Sequence, residues 1–340
     1  MPAIGFLCPD KAPVMSQDCL KECRLKDDLP MGRCKALPFL RKCTRQREWT
    51  GEPSTTQLIS GTREAWLKIT MPYFINPDDK VYSLLGTNVH CILDKFGQGD
   101  HFTEERLRDE ICSGQFDFYD GEQQILYDYK TWGSYKVQQA LGIRYIEEPE
   151  TDENGQPLLK TRGKNKGLPK TKKVWVNGDI ATKAVSLLDT SIQMSNYRDK
   201  LLSILPSGYT VKKMAVQAIS RDSGLMVSIM RGIEENAPLI PINGISKHWV
   251  DKYLSRKRDL LFKALKEDYA PLCKKRQRWF GKKCKSYCEV SEQCREKGGW
   301  ETDPIMRSLI VAEEAEKIIE ETESYSINDI FGIENLCRKK

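Results

Sequence analysis

The segment that most restricts the fold of this chain lies between residues 114 and 131. It reads GQFDFYDGEQQILYDYKT, with strand-forming residues on both sides of Asp120-Gly121, a dipeptide typical of tight hairpin turns. Residues two apart in a strand point to the same face of a sheet. Asp128 and Lys130 therefore share a face, and the hairpin brings Asp117 alongside them. The segment predicts two carboxylates and an ammonium group on one sheet face.

Such a charged group is costly to bury unless a cation balances the carboxylates. Oxygen ligands of this kind suit Mg²⁺ or Mn²⁺. The metal would polarise a phosphodiester and lower the pKa of bound water, and Lys130 would position that water or stabilise the transition state. The alternative is a solvent-facing hairpin with an ordinary Asp–Lys pair. Residues 125–127 are apolar or aromatic and Gly114 allows close backbone approach, which favours a buried strand.

The rest of the chain alternates between helical and strand-like patterns. One predicted helix begins at an N-cap of Ser54 or Thr55 and runs through residues 62–70. Further predicted helices cover residues 81–96 and 183–205, and predicted strands cover 211–220 and 224–232. This order predicts an α/β fold with a mixed central sheet flanked by helices.

Three regions follow from composition. Residues 1–48 form a cysteine-rich module, residues 51–250 form the core with a basic, polar insertion at 144–175, and residues 251–340 form a helical region with a second cysteine cluster.

The overall composition restricts the class of protein. The 340 residues are 39% hydrophobic, which is enough for a real core, and no run approaches the roughly 18 apolar residues of a membrane helix. The first residues lack the pattern of a signal peptide, so a cytoplasmic protein without membrane contact is expected. The net charge of +6 is compatible with nucleic-acid binding and equally with simple solubility.

Ten of the twelve cysteines fall near the two ends of the chain. In the cytosol, clustered cysteines bind metal more often than they form disulfides. The first predicted site is a structural zinc site formed by Cys8, Cys19, Cys23 and Cys34. Cys43 is a spare or substitute ligand of this site. The second predicted site consists of Cys273, Cys284, Cys288 and Cys294. Four thiolates suit zinc and iron–sulfur clusters equally well, and unpaired structural thiols are the alternative. Cys91 and Cys112 have apolar neighbours in the sequence and are expected in the core.

Four short motifs follow one another in the central region. They are Gly86-Thr-Asn-Val-His90, Gly114-Gln-Phe-Asp117, Asp128-Tyr-Lys130 and Gln193-Met-Ser-Asn-Tyr197. Their order resembles that of the RecB-like nucleases of the PD-(D/E)xK type, in which G-x-x-x-H, G-x-x-D, (D/E)-x-K and Q-x-x-x-Y succeed one another. The resemblance covers about residues 54–232.

This resemblance implies a restriction-endonuclease-like PD-(D/E)xK core and a set of roles. His90, Asp117, Asp128 and the carbonyl of Tyr129 would bind Mg²⁺ or Mn²⁺, and Lys130 would be catalytic. The remaining two residues, Gln193 and Tyr197, would shape the site and contact the DNA strand. One departure is the long segment between Lys130 and Gln193, because family members usually reach that helix sooner.

The implied function is a DNA exonuclease or end-processing nuclease in recombination, repair or phage DNA metabolism. The sequence contains no phosphate-binding loop of the ATPase type, so a helicase or recombination protein is a plausible partner. One alternative is a non-catalytic nucleic-acid-binding protein, bearing zinc or an iron–sulfur cluster, on a nuclease fold. A nuclease of CRISPR adaptation would share every motif.

Many nucleases of this kind also hold a [4Fe–4S] cluster, bound by one cysteine before the core and three after it. Cys284, Cys288 and Cys294 resemble the distal three, although three and five intervening residues replace the more usual two and five. The usual upstream position holds Gly61. The resemblance therefore leaves the fourth ligand to come from elsewhere, and Cys273 would complete the group.

Overall fold

The computed structural model describes residues 3–45, 48–97, 101–103 and 105–312. The chain divides into two compact units. We call residues 51–59 and 78–258 the sheet unit, and residues 1–50, 60–77 and 259–340 the cysteine unit. The predicted regions 1–48 and 251–340 therefore contribute to one unit. Residues 313–340 lie outside the described part of the chain, as does the last of the twelve cysteines, Cys337.

Helices and strands alternate along the described chain. The helices are α1 (Ser16–Lys21), α2 (Leu37–Thr44), α3 (Thr55–Ile59), α4 (Thr62–Thr70), α5 (Val81–Leu93), α6 (Ser134–Leu141), α7 (Ile180–Leu202), α8 (Met226–Ile229), α9 (Lys247–Glu267), α10 (Lys282–Ser286) and α11 (Ser291–Glu296). The strands are β1 (Ala3–Leu7), β2 (Pro13–Met15), β3 (Tyr73–Ile75), β4 (His101–Thr103), β5 (Arg106–Arg108), β6 (Ser113–Gln115), β7 (Phe118–Asp120), β8 (Ile125–Trp132), β9 (Ile143–Pro149), β10 (Thr171–Asn177), β11 (Lys213–Ser220) and β12 (Leu239–Pro241). Short 3₁₀ turns cover Pro77–Lys80, Asp94–Phe96 and Trp279–Gly281.

The sheet unit is built around a five-stranded sheet in the order β12-β11-β8-β7-β4. The strands β4, β7 and β8 form an antiparallel meander, which confirms the hairpin predicted around Asp120-Gly121. Between β8 and β11 the chain passes through α6 and α7, and β11 then pairs parallel to β8 from Lys213↔Ile125 to Ser220↔Trp132. A parallel pair needs a crossover of this kind. The predicted mixed α/β class is thereby confirmed.

Helix α7 covers the core of this sheet. Its N-cap is Asp179, whose carboxylate accepts the backbone N–H of Thr182 at 3.0 Å. Leu187, Met194 and Leu201 belong to one buried cluster with Leu126 of β8 and with side chains of β11. The apolar pattern of residues 183–205 thus predicted the helix correctly.

The predicted strand at residues 224–232 is wrong, because this segment contains the short helix α8. Backbone N–H groups of Ile229 and Met230 donate to the carbonyls of Leu225 and Met226 in helical fashion. The edge of β11 that a strand would need is taken by β12, which pairs with it antiparallel. Without a sheet edge, the apolar side chains of α8 stay largely exposed, with Met226 at 69%.

The predicted helix beginning near Ser54 is two helices rather than one. Ser54 caps only the short α3, because its hydroxyl accepts the N–H of Gln57 at 3.3 Å. The chain is extended at Gly61, which is the N-cap residue of α4. Residue 61 has no side chain with which to cap that helix.

The insertion at residues 144–175 contains a two-stranded ribbon. Strands β9 and β10 pair antiparallel from Ile143↔Asn177 to Pro149↔Thr171. Most of their side chains are exposed or half-buried, so the ribbon adds little core, as its polar composition indicates.

In the cysteine unit, β1 pairs antiparallel with β2 and parallel with β3. The N-terminal segment is thus held to residues 73–75. Arg63, 2% exposed, donates to the carbonyl oxygens of Ala270 at 2.8 Å, Cys294 at 2.8 Å and Gly298 at 2.7 Å. These bonds join α4 to the cysteine-bearing segment after residue 270. Among the described helices, none is both long and apolar enough to cross a membrane.

Candidate active site and cysteine clusters

The candidate active site lies where the β7–β8 ladder ends. The last paired residues are Phe118 and Tyr127, so the same register places Asp117 across from Asp128. Strand β6 pairs with β5 instead of continuing the ladder. In place of a backbone partner, the carboxylate of Asp117 accepts the backbone N–H of Tyr129 through Oδ2 at 2.6 Å. Asp117 is therefore fixed at the opening of the sheet by the strand that carries Asp128.

Four charged or titratable side chains meet at this opening. His90 Nδ1 lies 3.1 Å from Asp117 Oδ1, and Lys130 Nζ lies 2.7 Å from Asp128 Oδ2. Asp128 is only 2% exposed, whereas the side chains of His90 and Lys130 are each about a quarter exposed. The carboxylates thus lie beneath an imidazole and an ammonium group that reach solvent.

Helix α5 brings His90 to this strand. The predicted helix at residues 81–96 is confirmed by α5 and the 3₁₀ turn after it. A Cβ atom on Gly86 would lie 3.4 Å from the hydroxyl of Thr131, which places this turn of α5 in van der Waals contact with β8. The ring of His90 meets that of Tyr129 edge-on, with centroids 5.9 Å apart.

The electrostatics of the site follow from its burial. Burial raises the pKa of Asp128 to about 6. Burial disfavours the charged form of Lys130, but Asp128 and Asp117 more than offset this and raise its pKa above the ordinary value. The hydrogen bond to Asp117 raises the pKa of His90. The site therefore attracts positive charge, whether as protons or as a metal ion.

The fourth motif lies on α7 beside this group. Gln193 Nε2 donates to the Tyr197 hydroxyl at 2.8 Å. Tyr197 is 5% exposed, and burial raises its pKa to about 12, so the hydroxyl stays neutral. A Cβ atom on Gly114 would lie 2.5 Å from Cε1 of Tyr197. The aromatic ring therefore occupies the space that only a glycine at position 114 leaves free.

A supporting network behind the site was not predicted from the sequence. Asn196 donates to the Thr55 hydroxyl at 2.8 Å, and Thr55 donates to the carbonyl of Ser113 at 3.0 Å. All three residues are buried. Thr55 is thus a buried link between α3 and β6 rather than a cap of α4, and no local pattern signals such a contact.

The four C-terminal cysteines line one cavity in the cysteine unit. Its wall contains Cys273, Cys284, Cys288 and Cys294 together with apolar residues that include Leu67, Leu272, Val290 and Met306. Trp300 Nε1 donates to Cys294 Sγ at 3.4 Å. Burial raises the pKa of Cys284 to about 11 and that of Cys288 to about 12. Thiolates would need a cationic partner here.

Basic side chains also line this cavity. Arg278 is 4% exposed and donates through Nη2 to Asp303 at 2.8 Å. Its Nε and Nη1 atoms are buried without a hydrogen-bond partner among the described residues. Lys283 contacts the buried Glu64 at 2.6 Å. Unsatisfied N–H donors in a cysteine-lined cavity fit an anionic metal–thiolate group with sulfur acceptors. No local sequence pattern predicts this role of Arg278.

The N-terminal cysteines share one neighbourhood of the cysteine unit. Burial raises the pKa of Cys19, and the thiols of Cys34, Cys8 and Cys23 raise it further. Cys8 lies in the turn between β1 and β2, and Cys19 lies on α1. A set of four neighbouring thiols fits zinc by its donor chemistry. Cys43 is buried on α2.

The two cysteines of the sheet unit, Cys91 and Cys112, differ in exposure. Cys112 is buried, as predicted. Cys91 is exposed, so its predicted core position is wrong, because it lies on the solvent side of α5. All described cysteines are free thiols. Within the described ranges, no group of three or more His, Cys, Asp or Glu side chains has the geometry of a ready-made metal-ion site.

Comparison with known proteins gives one structural likeness. No protein-family model matches the chain, and no curated protein matches it. A solved structure titled "Crystal structure of SSO0001" is similar to it with a TM-score of 0.38 and 13% sequence identity, over 77% of this chain and 94% of that chain.

Proposed function

We propose that this chain is a metal-dependent DNA nuclease that hydrolyses phosphodiester bonds and acts as an exonuclease or end-processing enzyme. The observation that carries the proposal is the meeting of Asp117, Asp128 and Lys130 at the opening of the β7–β8 ladder. His90 adds an imidazole nitrogen to the same group. Two carboxylates and an imidazole form a donor set that suits Mg²⁺ or Mn²⁺.

The topology of the sheet unit supports this function. An antiparallel meander of β4, β7 and β8 is followed by helices and by β11, which returns parallel to β8. We propose that this arrangement is a PD-(D/E)xK-type core. The hairpin supplies the carboxylates, and the parallel pairing with β11 buries the strand on which Asp128 lies.

The residues of the site have separable roles in this proposal. When bound, the metal would polarise the phosphodiester and lower the pKa of an attacking water. Asp117 is held by the Tyr129 N–H, so its other oxygen, together with Asp128 and the predicted Tyr129 carbonyl, can face the ion. Lys130 remains protonated and can stabilise the negative charge that develops on the phosphate.

Gln193 and Tyr197 would contact the DNA strand. The hydroxyl of Tyr197 accepts from Gln193 and can donate its own proton to a phosphate oxygen. Because burial keeps this hydroxyl neutral at physiological pH, it can serve as a donor throughout the working range.

The ribbon formed by β9 and β10 offers a second surface for DNA. Its loop at residues 160–167 contains the half-buried Lys160 and the exposed Arg162, Lys164 and Lys166. Basic side chains of this kind neutralise phosphates without reading sequence. We propose that the loop contacts the DNA backbone.

We further propose that the protein carries two structural metal centres. The cavity lined by Cys273, Cys284, Cys288 and Cys294 would hold a [4Fe–4S] cluster, because four cysteines are the usual ligands of such a cluster. The N-terminal cysteines would bind zinc. Work in recombination, repair or phage DNA metabolism, with a helicase or recombination protein as partner, is the proposed context.

A cleavage assay with matched variants tests the nuclease proposal. Purified protein should degrade end-labelled DNA with Mg²⁺ or Mn²⁺ and lose this activity in EDTA. Lys130→Met should abolish cleavage, whereas Lys213→Met, on an exposed lysine at the start of β11, should not. Asp128→Asn should be inactive, and Glu122→Gln in the exposed hairpin turn should be active. Equal cleavage by Lys130→Met and the wild type would refute the proposed site.

A further inference from the structure

Helix α4 begins without a side chain at its N-cap. Its N-cap residue is Gly61, which has extended backbone angles and no side-chain cap. The first N–H groups of a helix need acceptors, and Ser, Thr, Asp or Asn usually provides one at this position. The sulfur of Cys273, a residue far along the chain, lies at this end of the helix, and the nearby backbone N–H of Glu64 favours the thiolate form of that sulfur.

The sulfur of Cys273 occupies the space that a side chain at position 61 would enter. A Cβ atom built on Gly61 would lie 2.2 Å from Cys273 Sγ and 3.0 Å from Cys273 Cβ. The next neighbour, Glu64 Cβ, would be 3.7 Å away. Within this pocket, therefore, the only severe conflict of a side chain at position 61 is with Cys273.

Burial raises the pKa of the Cys273 thiol, so a thiolate at this point needs positive charge around it. The start of a helix carries a partial positive charge, which stabilises a nearby anion. Arg278, 4% exposed, lines the same cavity and has two buried N–H donors without a described partner. Cys284, Cys288 and Cys294 line the cavity as well. Cys273 is thus one of four cysteines that line the same cavity.

We propose that Cys273 is a ligand of the metal centre in this cavity and that its sulfur occupies the space that a cysteine side chain at position 61 would fill. A cysteine at either position could therefore supply the same thiolate ligand. This inference rests on the proposed cluster in the cavity. The backbone of Gly61 has a φ of −62°, which a cysteine readily adopts. A cysteine at 61 and a glycine at 273 would then place a thiol at the same end of α4.

Exchange of the two residues tests the inference. Four proteins are purified without oxygen: the wild type, Cys273→Ser, the swap Gly61→Cys/Cys273→Gly, and the control Cys91→Ser on an exposed cysteine of the sheet unit. Iron and zinc are measured by mass spectrometry, and the visible absorbance of the cluster is recorded. Serine has nearly the size and shape of cysteine, so Cys273→Ser should keep the fold while it loses the thiolate.

We expect about four iron atoms in the wild type and in the control, a loss of most of the iron in Cys273→Ser, and recovery of at least half of it in the swap. Thermal unfolding confirms that each variant is folded. Wild-type iron content in Cys273→Ser would overturn the inference, and so would a folded swap variant no better than Cys273→Ser. A wild type free of iron and zinc would refute the proposed centre itself. If the wild type contains zinc instead of iron, and the zinc is lost in Cys273→Ser and recovered in the swap variant, the exchange of positions 61 and 273 is supported and the iron–sulfur assignment is refuted.

Discussion

His90 Nδ1 lies 3.1 Å from Asp117 Oδ1, although the two residues belong to a helix and to the end of a strand. Asp117 also accepts the backbone N–H of Tyr129 at 2.6 Å. One carboxylate therefore joins α5 to β8 at the place where the β7–β8 ladder opens. In the proposed enzyme, the same two atoms of His90 and Asp117 would turn towards a shared metal ion.

Replacement of His90 should weaken metal binding more than it weakens folding. We expect His90→Asn to raise the Mg²⁺ or Mn²⁺ concentration for half-maximal cleavage on the order of tenfold to a hundredfold. His248→Asn, on an exposed position of α9, is the matched control and should leave the metal requirement unchanged. An unchanged requirement in His90→Asn would remove His90 from the metal site.

The contribution of Asp128 and His90 to the stability of the metal-free protein should fall as pH rises. The pKa of Asp128 in the folded state is raised to about 6 and that of His90 is also raised, so the folded protein binds more protons than the unfolded chain. For Asp128 the loss should develop between about pH 4 and pH 6, with a magnitude on the order of 2 to 3 kcal/mol. The favourable contribution of protonated His90 is complete below its ordinary pKa of about 6.5 and is lost as pH passes its raised value.

Denaturant unfolding in EDTA measures this dependence. Asp128→Asn removes the carboxylate and should flatten the stability curve between pH 4 and 6, because the buried group no longer ionises. An Asp128→Asn curve with the wild-type slope in this range would contradict the account.

Gly114 should be intolerant of any side chain. In Gly114→Ala the new Cβ would lie 2.5 Å from the ring of Tyr197, and we expect destabilisation of about 1 to 3 kcal/mol together with reduced cleavage. Gly133→Ala is the control, because its Cβ would lie 3.4 Å from the flexible end of Arg221. Urea unfolding and the cleavage assay are the measurements, and equal stability of the two variants would contradict the packing described for Tyr197.

The N-terminal cysteines should hold zinc independently of the C-terminal centre. We expect Cys19→Ser to lose about one zinc per chain and to melt at lower temperature, while the iron content stays unchanged. Cys91→Ser serves again as control. Zinc and iron measured in the same samples separate the two centres, and a wild type with no zinc would refute the N-terminal site.

Local patterns predicted much of the candidate site but not its surroundings. The period-two spacing of Asp128 and Lys130 and the Asp120-Gly121 turn were sufficient to predict the carboxylate hairpin, because strand geometry and tight turns are local properties. The helices around His90 and Tyr197 followed from apolar spacing in the same way.

Features that depend on distant partners could not be predicted. Residues 224–232 have a strand-like composition, but β12 occupies the sheet edge, so α8 forms instead. The sequence shows that the expected upstream cysteine position holds Gly61. Only the structure shows that Cys273 fills the space beside it. The single helix expected after Ser54 is likewise interrupted before Gly61, where the sulfur that lies at the start of α4 belongs to a residue more than two hundred positions away.

Anomalous scattering from crystals soaked with Mn²⁺ tests the central claim most directly, because it locates the metal without relying on activity. We predict one peak within about 2.5 Å of a carboxylate oxygen of Asp117 and of Asp128, with a nitrogen of His90 also close to it, and no such peak in Asp128→Asn crystals. A manganese site away from Asp117 and Asp128, or a peak that persists unchanged in Asp128→Asn, would contradict the proposed nuclease centre.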